Sequence, residues 1–264
     1  VNVVAVTEAQ FDPDLQIAQL QSLRMQKLDA LISLPADERK MSDIYKNIAK
    51  ETKLIMIGNL PPNLNPKDYC AFISVNEREN GQNAGRLLGD FFSKRESVKV
   101  GLITHGAPLT MQRDHAAEQV LSENYKNIEL VAKENFYRID NAYHVAKKMM
   151  QEHPEIEGLY VSWEIPALEV IRALDELGRT DVSITTTDLD HEIASYMARG
   201  EFVCGISAQK PYEQGEAAAL AVARALIGKT EFIYVGVQPQ VVTPLNLRKA
   251  WVEIMHTGEP TFLY

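Results

Sequence analysis

The chain is poor in cysteine, in positive charge and in long apolar runs, and each shortage removes a class of protein. Its two cysteines, Cys70 and Cys204, could close one bridge at most, so no disulfide framework holds the fold. Each lies in an apolar run, Cys-Ala-Phe-Ile at 70–73 and Phe-Val-Cys-Gly-Ile at 202–206, which favours a buried free thiol. Lys and Arg number 27 against 36 Asp and Glu, and the net charge of -9 is the wrong sign for gripping a phosphate backbone. No run reaches the roughly 18–20 apolar residues that cross a bilayer. Residues 1–6 also lack the basic-then-apolar pattern of an export leader.

Reaction centres are equally scarce. There is no Gly-x-Gly-x-x-Gly and no Gly-x-Ser-x-Gly. His105, His115, His144, His153, His191 and His256 show no metal-ligand spacing, and none stands beside a nucleophile. Gly228-Lys229-Thr230 imitates the tail of a phosphate-binding loop, but Ala223 stands where its first glycine belongs and the triplet follows a helix. Asp188-Leu189-Asp190-His191-Glu192 lacks the glycine turn and later glutamate of a calcium loop. Asp190 and Glu192 fit better at the start of the next helix, where acids complement the dipole. No metal and no cofactor is expected.

What the chain does contain is a globular composition, 45% hydrophobic and 24% charged, over 264 residues, enough for about two domains. Short apolar runs alternate with longer helical patterns. Strands are predicted at 1–6, 30–34, 54–58, 70–75, 98–103, 128–132, 158–162, 182–187 and 202–206. Helices are predicted from Asp12-Pro13 (an N-cap and a proline at the first helical position) and at 36–51, 76–95, 111–123, 141–152, 166–177, 189–199 and 212–227. Residues 59–67, with three prolines and three asparagines, form a loop. Gly81, Ala84, Gly85 and Gly89 thin one side of the 76–95 helix for close helix–sheet packing, and Gly178 and Gly228 fit helix C-termini. Strands alternating with helices mean parallel sheets with right-handed crossovers, and this many strands divide better between two sheets than one. The fold class is α/β, two doubly wound parallel-sheet lobes.

In such sheets ligands bind beyond the carboxyl ends of the strands. The residues found there are Asn59, His105-Gly106, Trp163-Glu164, Asp188 and Ser207 to Gln209, with Arg113 one short loop further on. Acids, amides, an arginine and aromatics suit a polyhydroxylated ligand: carboxylates accept hydroxyl protons, an arginine fork donates, and an aromatic face covers C–H.

Several stretches then carry a resemblance. They are Gln16 with Leu20 and Leu28-Asp29-Ala30-Leu31-Ile32-Ser33-Leu34-Pro35; Asn76 with Gly81 and Ala84; residues 158–167 with Ala173, Leu174 and Gly178-Arg179; and Gln209-Lys210-Pro211 with Gly215, followed by Leu226-Ile227-Gly228-Lys229. Together they resemble the type I periplasmic binding proteins of the ribose, galactose and inositol group, a fold shared with the effector domains of lac-repressor-like regulators. The resemblance implies a solute-binding protein of a bacterial ABC importer, exported to the periplasm or cell surface. It would capture a small sugar or polyol by hinge closure and deliver it to a membrane permease, as a monomer that neither catalyses a reaction nor binds nucleic acid. The sensory domain of a regulator or chemoreceptor is the alternative.

It also implies roles. Arg113 matches the arginine that binds sugar hydroxyls, Trp163 a position held by asparagine or tryptophan, Asp188 the acid after a strand, and Gln209 the hinge glutamine. Phe136 or Tyr137 matches the stacking aromatic. His105 and Asn59 are further candidates, Asn59 standing with Gly58 where many members have Asp-Arg. The implied lobes are residues 1–104 with 210–239 and residues 105–209 with 240–264, joined by a three-segment hinge near 104–105, 208–210 and 239–244. The family's opening strand and helix have no counterpart ahead of what resembles its second strand, so a first strand and helix are expected to be missing from this sequence.

Overall fold

The computed structural model describes residues 2–106, 108–229 and 232–263, without the side chains of 108 and 109. The ends of three expected features, at Val1, Thr230 and Tyr264, lie outside them. The chain divides into two compact units, Val1–Val75 with Pro211–Val237 and Asn76–Lys210 with Gln238–Tyr264.

The first unit holds α1 (Pro13–Arg24), β1 (Ala30–Ser33), α2 (Ser42–Ile48), β2 (Lys53–Ile57), β3 (Ala71–Val75), α8 (Pro211–Leu226) and β9 (Ile233–Val237). Its four strands run in the order β1-β2-β3-β9, parallel throughout. Residue alternation along β2 divides the core. Leu54 and Met56 pack with Leu20, Met41, Tyr45 and Ile48, whereas Ile55 packs with Ala218, Ala221 and Val222 of α8. Asp12 caps α1 by accepting from the amides of Asp14 and Leu15, ahead of Pro13 as the sequence requires. Gln16 ties that helix to the loop after β1, donating to the Leu34 carbonyl at 2.8 Å and accepting from the Ala36 amide at 2.7 Å.

Over its described part, residues 2–6, the strand expected at residues 1–6 is not formed. Residues 2–6 run unpaired, with Val3, Val4 and Val6 exposed, along an open cavity of about 930 Å³ that β1 also lines. An apolar run becomes a strand only when a neighbour takes its backbone hydrogen bonds, and β1 pairs with β2 alone.

The second unit holds α3 (Glu77–Phe91), β4 (Val98–His105), α4 (Pro108–Asn124), β5 (Ile128–Phe136), α5 (Asn141–Glu152), β6 (Ile156–Val161), α6 (Glu164–Glu176), β7 (Ser183–Thr187), α7 (His191–Arg199), β8 (Val203–Ala208), β10 (Gln240–Val242) and α9 (Leu247–Met255). Its sheet has the order β10-β8-β7-β6-β4-β5, parallel except for β10. The expected boundary near 104–105 is therefore corrected. Strand β4 lies inside this sheet between β6 and β5, and the first changeover falls at Val75/Asn76.

The glycine stripe of α3 also differs from expectation. Ala84 does pack with β4 and β6, but the glycines serve a helix: a Cβ on Gly81 would stand 1.9 Å from the backbone oxygen of Arg113 on α4, and one on Gly85 2.8 Å from that of Ala117. Gly178 and Gly228 do end helices, at φ +68° and +80°. Strands β9 and β10 and helix α9 have no counterpart among the predicted elements.

Candidate functional site

Five neighbouring strands of the second sheet deliver a polar or aromatic residue to the same edge. In spatial order they are Gln209 after β8, Asp188 after β7, Trp163 after β6, His105 at the end of β4 and Phe136 at the end of β5. Because β8, β7, β6, β4 and β5 are parallel, their carboxyl ends share one side, and spacing of about 4.8 Å between strands makes each residue a neighbour of the next. The sequence-predicted residues Gln209, Asp188, Trp163, His105 and Phe136 are thus brought to one rim.

Arg113 approaches that rim from α4 and is 4% exposed, so it is no surface arginine. Its Nε donates to Glu77 Oε2 at 2.6 Å and its Nη2 to Glu77 Oε1 at 2.9 Å, a bidentate pair. Nη1 donates to Thr187 Oγ1 at 2.7 Å and the Ser162 carbonyl at 3.2 Å, and lies 3.5 Å from Asp188 Oδ2. Burial disfavours its charge, yet Glu77 and Asp188 outweigh this and hold it firmly cationic. Four of its N–H groups are thus engaged with protein, more than the resemblance suggests for an arginine that addresses a ligand.

Glu77 owes its place to the start of α3, where Asn76 is the N-cap and accepts from the Glu79 amide at 3.1 Å. Beside Arg113, Asp114 accepts from Tyr160 at 2.8 Å and Ser162 at 2.6 Å, and burial pushes its carboxyl above the usual range although both hydrogen bonds oppose this. Ser162 Oγ also accepts from the His105 amide at 3.0 Å, which fixes the end of β4 against that of β6. Glu77, Asp114, Ser162 and Tyr160 were not among the predicted site residues. Glu164 stood only among the strand-end residues.

The aromatic part is a three-ring cluster. Trp163 meets His105 edge-on at 5.0 Å and Phe136 at 5.2 Å, and His105 and Phe136 are 5.2 Å apart. Phe136 is 1% exposed and supports the half-buried indole from within. Tyr137 is 70% exposed and its ring lies over Gly106, so the paired possibility separates into a core ring and a surface ring. Burial pushes the His105 imidazole below its usual value, so it is neutral at pH 7.

Asp188 stands in the left-handed region at φ +68°, a conformation aspartate tolerates better than most side chains. It does not cap α7; Asp190 does, accepting from the Ile193 amide at 2.7 Å. Burial raises the Asp188 carboxyl, against the pull of Arg113 and a hydrogen bond from Gln209. Glu164, the first residue of α6, is pushed up to about 8 by burial and then by Asp188. Asp188 Oδ1 and Glu164 Oε2 are buried without a hydrogen-bond partner among the described residues. Asn59 belongs to the first unit, after β2, and is described there alone, half-buried with its backbone N–H donating to the Ile57 carbonyl at 2.7 Å.

A family model for the periplasmic binding protein domain matches residues 1–230. The ribose import binding protein of Salmonella typhimurium is 22% identical over 191 residues, which are 70% of this chain and 62% of that protein; the match therefore spans less than two thirds of the relative. A sugar ABC transporter (sugar-binding protein) from Bacillus halodurans superposes with a TM-score of 0.80 at 17% identity, covering 91% of this chain and 86% of the other. An ABC transporter solute binding protein from Bacillus halodurans with bound myo-inositol gives 0.78 at 18% identity, covering 92% and 84%. At such identities these structures show a common fold.

Proposed function

Because the chain belongs to the periplasmic binding protein domain family, whose members bind substrates and do not turn them over, we propose that it is the exported solute-binding component of a bacterial ABC importer. Its cargo is a small sugar or polyol, and its macromolecular partner is the membrane permease. The observation that carries this reading is the row of parallel strand ends presenting Trp163, Asp188 and Gln209 on one rim. An indole face covers the apolar C–H side of a pyranose or cyclitol, a carboxylate accepts from two hydroxyls, and an amide both donates and accepts. Charge-assisted hydrogen bonds contribute about 1.5–3 kcal/mol each and neutral ones about 0.5–1.5. A handful suffices for the roughly -8 kcal/mol of a micromolar complex.

In this reading Arg113 works mainly by position, aligning Asp188, Thr187 and the Ser162 carbonyl behind the rim. Asn59 stays a candidate on the resemblance alone. The test is a thermal-shift panel of pentoses, hexoses, inositols and short polyols. At least one member is expected to raise the melting temperature of the wild type but not of Asp188→Ala or Trp163→Ala. Stabilisation by none of them, or full retention in both variants, overturns the reading. Recovery of the bound compound unchanged after prolonged incubation checks the absence of turnover.

A further inference from the structure

The rim carries more carboxyl groups than its one buried arginine can pair. The charged groups acting on Glu164 and Asp188 are Arg113, Glu77, Asp190 and each other. Arg113 is the one cation among them, and its charge is already met by the bidentate Glu77, both side chains being deeply buried. Asp188 reaches that guanidinium only at 3.5 Å through Oδ2. Asp190 is occupied in capping α7. Two carboxyl groups are therefore left over, and each keeps a buried oxygen without a protein donor, Asp188 Oδ1 and Glu164 Oε2.

A ligand bearing only hydroxyls could donate to these oxygens, but it would leave the Asp188 charge, which Arg113 meets only at 3.5 Å, poorly compensated in a weakly solvated place, and Glu164 would keep its proton. A cation would compensate that charge. Trp163 is the N-cap residue of α6 and immediately precedes Glu164 in the chain, and an indole face attracts an ammonium group more strongly than the other aromatic side chains do.

Resting on the reading above, we infer that the cargo is an aminated sugar or cyclitol, its protonated amine held at the carboxyl groups of Asp188 and Glu164 and its ring laid against Trp163. No covalent step is involved. Binding retains the proton on the amine, and the proton that Glu164 holds at pH 7 is released to solvent as its carboxylate forms.

Isothermal titration calorimetry at pH 7 on the whole chain tests this with glucosamine against glucose, galactosamine against galactose, and an inosamine against myo-inositol, with the N-acetylated amines as uncharged controls. At least one amine is expected to bind about tenfold more tightly than its hydroxyl parent, about 1.4 kcal/mol. Acetylation should abolish the preference, and Glu164→Gln should shrink the ratio to about twofold or less. If the hydroxyl parents bind as tightly as the amines or tighter, the inference is wrong and the sugar-binding reading stands. If neither class binds, the sugar-binding reading itself fails and takes the inference with it.

Discussion

Replacing Glu164 by glutamine removes one ionisation from the rim while keeping shape and volume, and the structure fixes the sign of the result. The folded protein holds the Glu164 proton up to about pH 8, whereas the unfolded chain releases it near 4.5. Between these values the folded state binds more protons than the unfolded one, so stability falls as pH rises. The interval of about 3.5 pH units, at 1.36 kcal/mol each, gives a ceiling of roughly 5 kcal/mol. Relaxation of nearby dipoles and water reduces this, and about 2 kcal/mol is expected. Asp114 is raised as well, but it stays in both proteins and cancels; the repulsion between Asp188 and Glu164 exists only in the wild type and adds to the difference in the same direction. Both tryptophans, Trp163 and Trp251, belong to the second unit, so their fluorescence follows its unfolding in urea. Wild type should lose about 2 kcal/mol relative to Glu164→Gln between pH 5 and pH 8.5. Curves that run parallel within about 0.5 kcal/mol would refute the argument, because a carboxyl with an ordinary pKa contributes no such slope.

Glu77→Ala should destabilise the second unit by about 3–5 kcal/mol, since it strands the Arg113 guanidinium in the interior; a loss under about 1 kcal/mol by the same urea titration contradicts that burial. Gly81→Ala places a methyl group against the Arg113 carbonyl, backbone against backbone, and should cost at least about 1–3 kcal/mol. A near-neutral result in denaturation would mean that α3 and α4 do not approach so closely. Cys204 is a free thiol pushed up to about 12 by burial, its Sγ donating to the Ile184 carbonyl at 3.3 Å. In mass spectrometry after labelling at pH 8 it should stay unmodified in the native protein and react fully in denaturant; rapid native labelling would contradict its placement.

Much of this architecture is written in the sequence, because buried parallel strands are compact apolar runs and their helices carry strong stop signals. Residues 98–103, 158–162 and 182–187 needed no tertiary information to be read as strands. Residues 1–6 are a counterexample, since pairing depends on a neighbour that an apolar run cannot supply for itself. Strands β9 and β10 were hard to see because β9 is only half-buried and β10 spans three residues beyond Pro239. The changeover at Val75/Asn76 was misplaced because nothing local marks which sheet a following strand such as β4 will join.

The rim divides in the same way. Trp163, Asp188 and Gln209 follow strands, so position alone nominates them. Glu77 gives no such signal: it is an ordinary first-turn acid until α3 closes on α4 and sets it against Arg113. The opposite roles of Phe136 and Tyr137, one supporting the indole and the other covering Gly106, follow from strand alternation whose phase the sequence leaves open.

The central claim is that the carboxyl edge of the second sheet is where this protein holds its cargo. A crystal structure of the complex with the best stabilising compound from the sugar and amino-sugar panel tests it most directly. Electron density for the ligand ring is expected against Trp163, with a polar substituent within hydrogen-bonding distance of Asp188. A ligand found away from both residues, with this rim occupied by solvent alone, would contradict it.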